Sequence, residues 1–147
     1  MREYQNGILL WTMRENWPSF SSAMVDYYGN RKKAFYAVKK SNEPVQCLID
    51  IDADIATAYL INDWLDGKTY TVTISGEQGN VLYSGEVQTS SETPVAKIGL
   101  LELKREKVLL TKVTDGTKEI QNYRYVYAEK ISYTEYRKLY ETVFGNL

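Results

Sequence analysis

Two tryptophans pose the first chemical question. Trp11 closes a continuous apolar run, Gly7-Ile8-Leu9-Leu10-Trp11, and Trp17 follows six residues on, immediately before Pro18. Glu15 and Asn16 lie between them. Indole faces stack on the C–H patches of sugar rings, and a carboxylate and an amide are partners for ring hydroxyls. An apolar run of this kind suits a strand buried on both faces, as in a parallel sheet. The C-terminal mouth of such strands is where barrel active sites lie. Trp11, Glu15, Asn16 and Trp17 therefore read as one wall of a sugar pocket. Tryptophans also fill cores, and spacing alone does not separate the two roles.

Other chemistries are excluded or unsupported. Histidine is absent and Cys47 is the only cysteine. That removes a Ser-His-Asp triad, a Cys-His pair, a histidine-ligated metal and an internal disulfide. Asp50, Asp52, Asp54, Asp63 and Asp66 fall on alternating and turn positions. They read as a solvated acidic edge in preference to a weak calcium site. No catalytic residue, metal or cofactor is assigned. With 18 basic and 19 acidic residues the net charge is −1, which gives no broad pull toward nucleic acid or an anionic membrane. The densest basic patch, Arg31, Lys32, Lys33, Lys39 and Lys40, reads as the solvated face of a helix. There is no run of about 20 apolar residues and no signal-peptide pattern, so no membrane span is expected and no compartment is assigned.

The elements that must position the wall change character along the chain. Residues 1–43 are aromatic-rich. Asp26-Tyr27-Tyr28-Gly29-Asn30 reads as a turn, with Asn30 as cap of a following helix in which Ala34, Phe35 and Val38 share a face. Pro44 ends that pattern. From there the period is two. Strands are expected at 45–51, 56–62, 69–75, 81–88, 96–103, 107–113 and 120–128, with hairpin turns at Gly76–Asn80 and Asp115-Gly116. Seven short strands in about 85 residues fit an antiparallel immunoglobulin-like β-sandwich. It is not of antibody type, since no Cys…Trp…Cys pattern exists. Ser132-Tyr133-Thr134-Glu135 is a capping box for a last helix presenting Tyr136, Leu139, Tyr140 and Val143 on one face, with Gly145 as its C-cap.

The stretch Gly7 to Pro18, continued by Val25-Asp26-Tyr27-Tyr28-Gly29-Asn30-Arg31-Lys32-Lys33-Ala34-Phe35-Tyr36-Ala37-Val38-Lys39, resembles the end of the catalytic barrel in glycoside hydrolase family 2, especially its β-mannosidase-like members. Their last barrel strand carries G-x-x-x-W-Q-x-N-D-x-W-P. It runs into V-D-Y-x-G-x-x-K-x-A-x-Y-A-V-K. Tyr59-Leu60-Ile61-Asn62-Asp63-Trp64 resembles, more loosely, the second strand of the family's C-terminal sandwich. By this resemblance Trp11 lines the floor of the sugar subsite at the scissile bond, and Trp17 is near the pocket rim. Thr12, Met13, Arg14 and Glu15 stand where the family has Gln-x-Asn-Asp, so the sugar specificity is open. The family is retaining, with two glutamates about 5–5.5 Å apart. Both are carried by earlier barrel strands.

A full (β/α)8 barrel takes about 250 residues, and this chain has 147. The expectation is therefore a non-catalytic C-terminal fragment of a retaining glycoside hydrolase. Residues 1–43 would be the last barrel strand and following helix, and 44–147 the sandwich with its closing helix. Its partners would be the rest of the parent chain and, through the parent barrel, carbohydrate. Apolar surface over residues 7–28 would favour self-association. The alternative is a carbohydrate-binding or interaction module, with Tyr123, Tyr125 and Tyr127 on one strand face as its platform or, equally, as packing.

Overall fold

The computed structural model describes residues 9–52, 55–90, 95–102, 106–126 and 132–144. They form two compact units, Met1–Glu43 and Pro44–Leu147.

In the second unit all seven expected strands are present: β1 (Val45–Asp52), β2 (Ile55–Asn62), β3 (Thr69–Gly76), β4 (Val81–Gln88), β5 (Val95–Glu102), β6 (Val108–Thr114) and β7 (Glu119–Tyr125). Every ladder is antiparallel. The strands form two sheets in the orders β1-β2-β5 and β4-β3-β6-β7. This is an immunoglobulin-like sandwich in which the fourth strand pairs with the third. The sheets thus hold three and four strands, where an antibody constant domain has four and three.

Alternation puts one set of side chains between the sheets. Cys47 and Ile49 on β1, Ala56, Ala58 and Leu60 on β2, Tyr70, Val72 and Ile74 on β3, and Leu109 and Val113 on β6 are buried in one cluster. Thr69 and Thr71 face outward and are exposed. Burial of a side chain the size of Leu60 or Ile74 contributes about 1.5–3 kcal/mol. Burial also pushes the Cys47 thiol up to about 12. The polar groups in the core are bonded across it: the Thr111 hydroxyl donates to the Cys47 carbonyl (3.2 Å), and the Asn122 amide donates to Gln46 Oε1 (3.1 Å).

The turns follow from local chemistry. Gly76 N–H donates to the Asn80 carbonyl at 2.9 Å, and Gly79 takes a φ of +83° that favours glycine. In the β6–β7 turn Asp115 Oδ1 accepts from the Thr117 and Lys118 amides, both at 2.9 Å, and these bonds hold its carboxyl well below the usual range. A register shift opposite Ala58/Tyr59 leaves one extra residue on β5, beside Gly99 with φ +144°.

Helix α2 (Tyr133–Phe144) lies against β7. Its capping box forms as expected: Ser132 N–H donates to Glu135 Oε2 (2.7 Å), and Glu135 N–H donates to Ser132 Oγ (3.2 Å). Tyr140 is buried on the inner face, beside Tyr136 at a ring separation of 6.1 Å. Gly145 lies outside the described residues.

Helix α1 of the first unit (Lys33–Ser41) precedes all of these in the chain. Its N-cap is Lys32, without a side-chain cap, and not Asn30. Asn30 is occupied elsewhere: its backbone N–H (2.7 Å) and side-chain amide (2.9 Å) both donate to the Asp26 carboxylate and close the expected turn around Gly29.

Leu60 is fully buried at the centre of the sandwich. Leu60→Ala should destabilise the second unit by about 2–5 kcal/mol, read as a lower urea midpoint at unchanged slope in the β circular-dichroism signal.

Candidate functional site

The first unit is organised around one carboxylate. Residues 23–25 run between two backbone neighbours. On one side Val25 N–H donates to the Met13 carbonyl (2.9 Å) and Glu15 N–H to the Val25 carbonyl (3.0 Å), a parallel bridge. On the other, Lys32 N–H donates to the Met24 carbonyl at 2.9 Å. Glu15 is thereby turned inward, and is only 7% exposed. Lys32 Nζ donates to Glu15 Oε1 at 2.5 Å and to the Ser21 carbonyl at 3.1 Å. Ser21 Oγ also donates to Glu15 Oε1, at 2.9 Å, while accepting from Ala23 N–H at 3.1 Å. The Lys32 hydrogen bond holds the Glu15 carboxyl below its ordinary 4.5; burial opposes it, and Ser21 adds to it. Arg14 reaches across to donate to the Tyr27 carbonyl at 3.0 Å and holds the 26–30 turn.

The sequence-expected residues divide into two sets. Glu15 faces inward. Trp11 (90% exposed), Trp17 (66%) and Asn16 face solvent. The peptide between Trp11 and Thr12 is cis. Of the apolar run, Gly7 and Ile8 lie outside the described residues, and residues 9–11 are not in a strand. A parallel barrel strand takes its hydrogen bonds from a neighbour on each side, and every described ladder here belongs to the sandwich. Leu9, Leu10, Met13 and Phe20 are exposed with the tryptophans, which makes an apolar surface.

Lys32 and Ser21 are the residues that sequence reasoning missed. Lys32 reads as one cation in a solvated basic patch, and it sits 17 residues from its carboxylate. No local spacing announces such a pair. Arg31 stays exposed, with its guanidinium 4.9 Å from the Phe35 ring centroid.

On the sandwich, Tyr123 and Tyr125 pack edge to face with centroids 5.3 Å apart and are half-buried, so they serve packing more than an open platform; Tyr127 lies outside the described residues. Asp66 is taken up by Lys68 (3.2 Å) and Asn62 (2.8 Å), and Asp54 lies outside the described residues. Among the described residues no three carboxylate, histidine or cysteine groups converge as metal ligands.

No family model matches the chain. Beta-mannosidase B of Aspergillus flavus is 46% identical over 39 residues, which are 26% of this chain and 5% of that enzyme. Beta-mannosidase B of Thermothelomyces thermophilus is 43% identical over 44 residues, 30% of this chain and 5% of the enzyme. The crystal structure of the β-D-mannosidase of Dictyoglomus thermophilum superposes with a TM-score of 0.62 at 17% identity, covering 78% of this chain and 15% of that one. The chain is β-mannosidase-like, resembling glycoside hydrolase family 2. The sequence likeness is short and high, whereas the structural likeness is broad and shows the shared fold. The matches span a small part of the curated β-mannosidases, about a twentieth of their length.

The pairing of buried Glu15 with half-buried Lys32 gives this β-mannosidase-like segment a defined acid response. A carboxyl whose folded pKa is depressed stabilises fully above its unfolded value, and that contribution is lost as pH falls through the folded value. The protection of the Val25 and Glu15 amides, measured against their intrinsic exchange at each pH, should therefore hold above about pH 4.5 and fall below it. Lys32→Met leaves the carboxylate buried without its cation, and should quicken the same amides already at neutral pH. Hydrogen exchange resolved by residue reads both outcomes.

Proposed function

We propose that this chain is a non-catalytic part of a retaining β-mannosidase-like glycoside hydrolase. In this reading residues 1–43 are the end of the catalytic barrel, and 44–147 are the sandwich that follows it. Trp11, Glu15, Asn16 and Trp17 belong to the sugar pocket. Trp11 and Trp17 offer indole faces and Asn16 an amide. Glu15, gripped from inside by Lys32 and Ser21, sets the backbone from which they project. The catalytic glutamates come from the rest of the parent chain, which is also the partner that covers the apolar surface around Leu9, Leu10 and Phe20.

The observation that carries the reading is the pairing of a 46% identical stretch with two tryptophans left facing outward while their carboxylate neighbour is locked inward. Sugar stacking needs them open, on a backbone that does not move.

The purified chain should release no phenol from aryl β-mannosides or β-galactosides above the buffer rate. Turnover that co-purifies with the protein through successive columns would overturn the non-catalytic reading. The exposed apolar surface should also drive association when the chain is alone. Sedimentation velocity should show oligomers that grow with concentration, and Phe20→Ser with Leu9→Ser should shift them toward monomer. A wild-type monomer at all concentrations would remove the proposed docking face.

A further inference from the structure

We infer a second carbohydrate site, on the sandwich itself, at the turn between β2 and β3, with Trp64 as its stacking surface. Trp64 is 66% exposed and Leu65 beside it 39%. A connection that had only to reverse the chain would favour glycine, asparagine or serine at its tip. This one places an indole there and fixes the backbone that carries it.

The support comes from within the core. Asn62, the last residue of β2, is fully buried. Its amide donates to Asp66 Oδ1 (2.8 Å) and to Thr89 Oγ1 (2.9 Å). Its carbonyl oxygen Oδ1 accepts from the Trp64 backbone N–H at 3.1 Å. Thr89, itself buried just beyond β4, donates its hydroxyl to the Lys68 carbonyl at 3.0 Å. Asp63 N–H donates to the Pro44 carbonyl at 2.8 Å, and Lys68 N–H to Asp66 Oδ1 at 3.2 Å. Leu65 adopts a φ of +52°, a conformation rare for a side chain of its size. Backbone outliers of this kind persist where the surroundings over-determine them, and they cluster at ligand clamps. Both neighbours of Trp64 along the chain are thus fixed, so the backbone that carries the indole is set before a ligand arrives.

The chemistry around the indole selects the ligand. Asp66 and Lys68 are paired at 3.2 Å, and with Asp63 in the same turn and Asp115 near Lys68 the turn offers hydrogen-bonding groups but no net positive charge. Gln88 reaches over from β4, its amide 3.5 Å from the Gly67 carbonyl. An exposed indole on a turn that also carries a carboxylate and an ammonium group, with the Gln88 amide bonded to its backbone, suits a neutral hexopyranose, which has one C–H face and a rim of hydroxyls. A uronic or sulfated sugar would need a net positive rim. The site rests on the reading of the chain as part of a carbohydrate-active enzyme, but it involves none of the residues of the first unit.

The test is calorimetric titration of the full chain carrying Trp11→Ala and Trp17→Ala, which silences the first unit, with mannotetraose and cellotetraose. Binding with a Kd of about millimolar is expected, and Trp64→Ala in that background should weaken it about ten-fold or more. Trp64→Phe should retain part of the affinity. Trp64 is exposed, so unchanged circular dichroism and thermal midpoint confirm that the variants fold. No binding in that background, or equal affinity with and without Trp64, overturns the proposal. So does a Trp64-dependent self-association without sugar binding, which would assign the turn to protein docking. Hydrolysis of aryl β-mannosides by the chain alone would defeat the functional reading above and leave this titration interpretable.

Discussion

Water must be kept from the space between the two sheets, and that constraint governs nearly everything else in the second unit. A strand has only two faces, so each of β1 to β7 must alternate, and a slip of one residue would turn every apolar side chain outward. Polar groups entering that space need a partner, and among the described residues Tyr125 Oη is the buried side-chain atom left without one. Polar groups enter it in few places. Thr111 and Asn122 tie the four-stranded sheet to β1 through the Cys47 carbonyl and Gln46. Asn62 and Thr89 close the end of the sandwich where β2 turns toward β3. The buried amide there does two tasks with one side chain: it satisfies itself inside, and it fixes the shape of a surface outside.

The first unit obeys the same rule with a charge in place of an amide. A carboxylate removed from water is costly unless it is paired and hydrogen-bonded, and Glu15 meets Lys32 and Ser21 together. That pair joins the backbone segments 12–15, 23–25 and 31–32, which are also bonded to one another. The tryptophans are left outside that arrangement by exclusion. Adjacent residues thus serve opposite purposes, with the charged one holding the interior and the aromatic ones meeting solvent.

The parts legible in the sequence are those with short-range causes. Tyr70, Val72 and Ile74 against Thr69, Thr71 and Thr73 announce a half-buried strand by spacing alone, and the structure buries the first set. Ser132 and Glu135 announce a helix start because a capping box closes within three residues. Asp115-Gly116 announces a hairpin because its bonds are all local. Asn30 misled because two local options competed. Asp26, four residues before it, took both of its donors, and the helix began later at Lys33. The pairing of Lys32 with Glu15, like the bond from Asn62 to Thr89 across 27 residues, depends on folding that no spacing encodes. The likeness to β-mannosidases was legible for a different reason, as an ordered series of residues around Trp11 and Trp17.

Cys47 gives the molecule an internal clock. Its side chain is 2% exposed at the centre of β1, and the buried thiol resists ionisation. Disulfide exchange and alkylation both require the thiolate and a path to it, so neither proceeds while the two sheets stay together. No other cysteine exists in the chain. Marking by a thiol reagent therefore reports the opening of the sandwich around β1, its rate when the reagent is fast and its equilibrium when the reagent is slow.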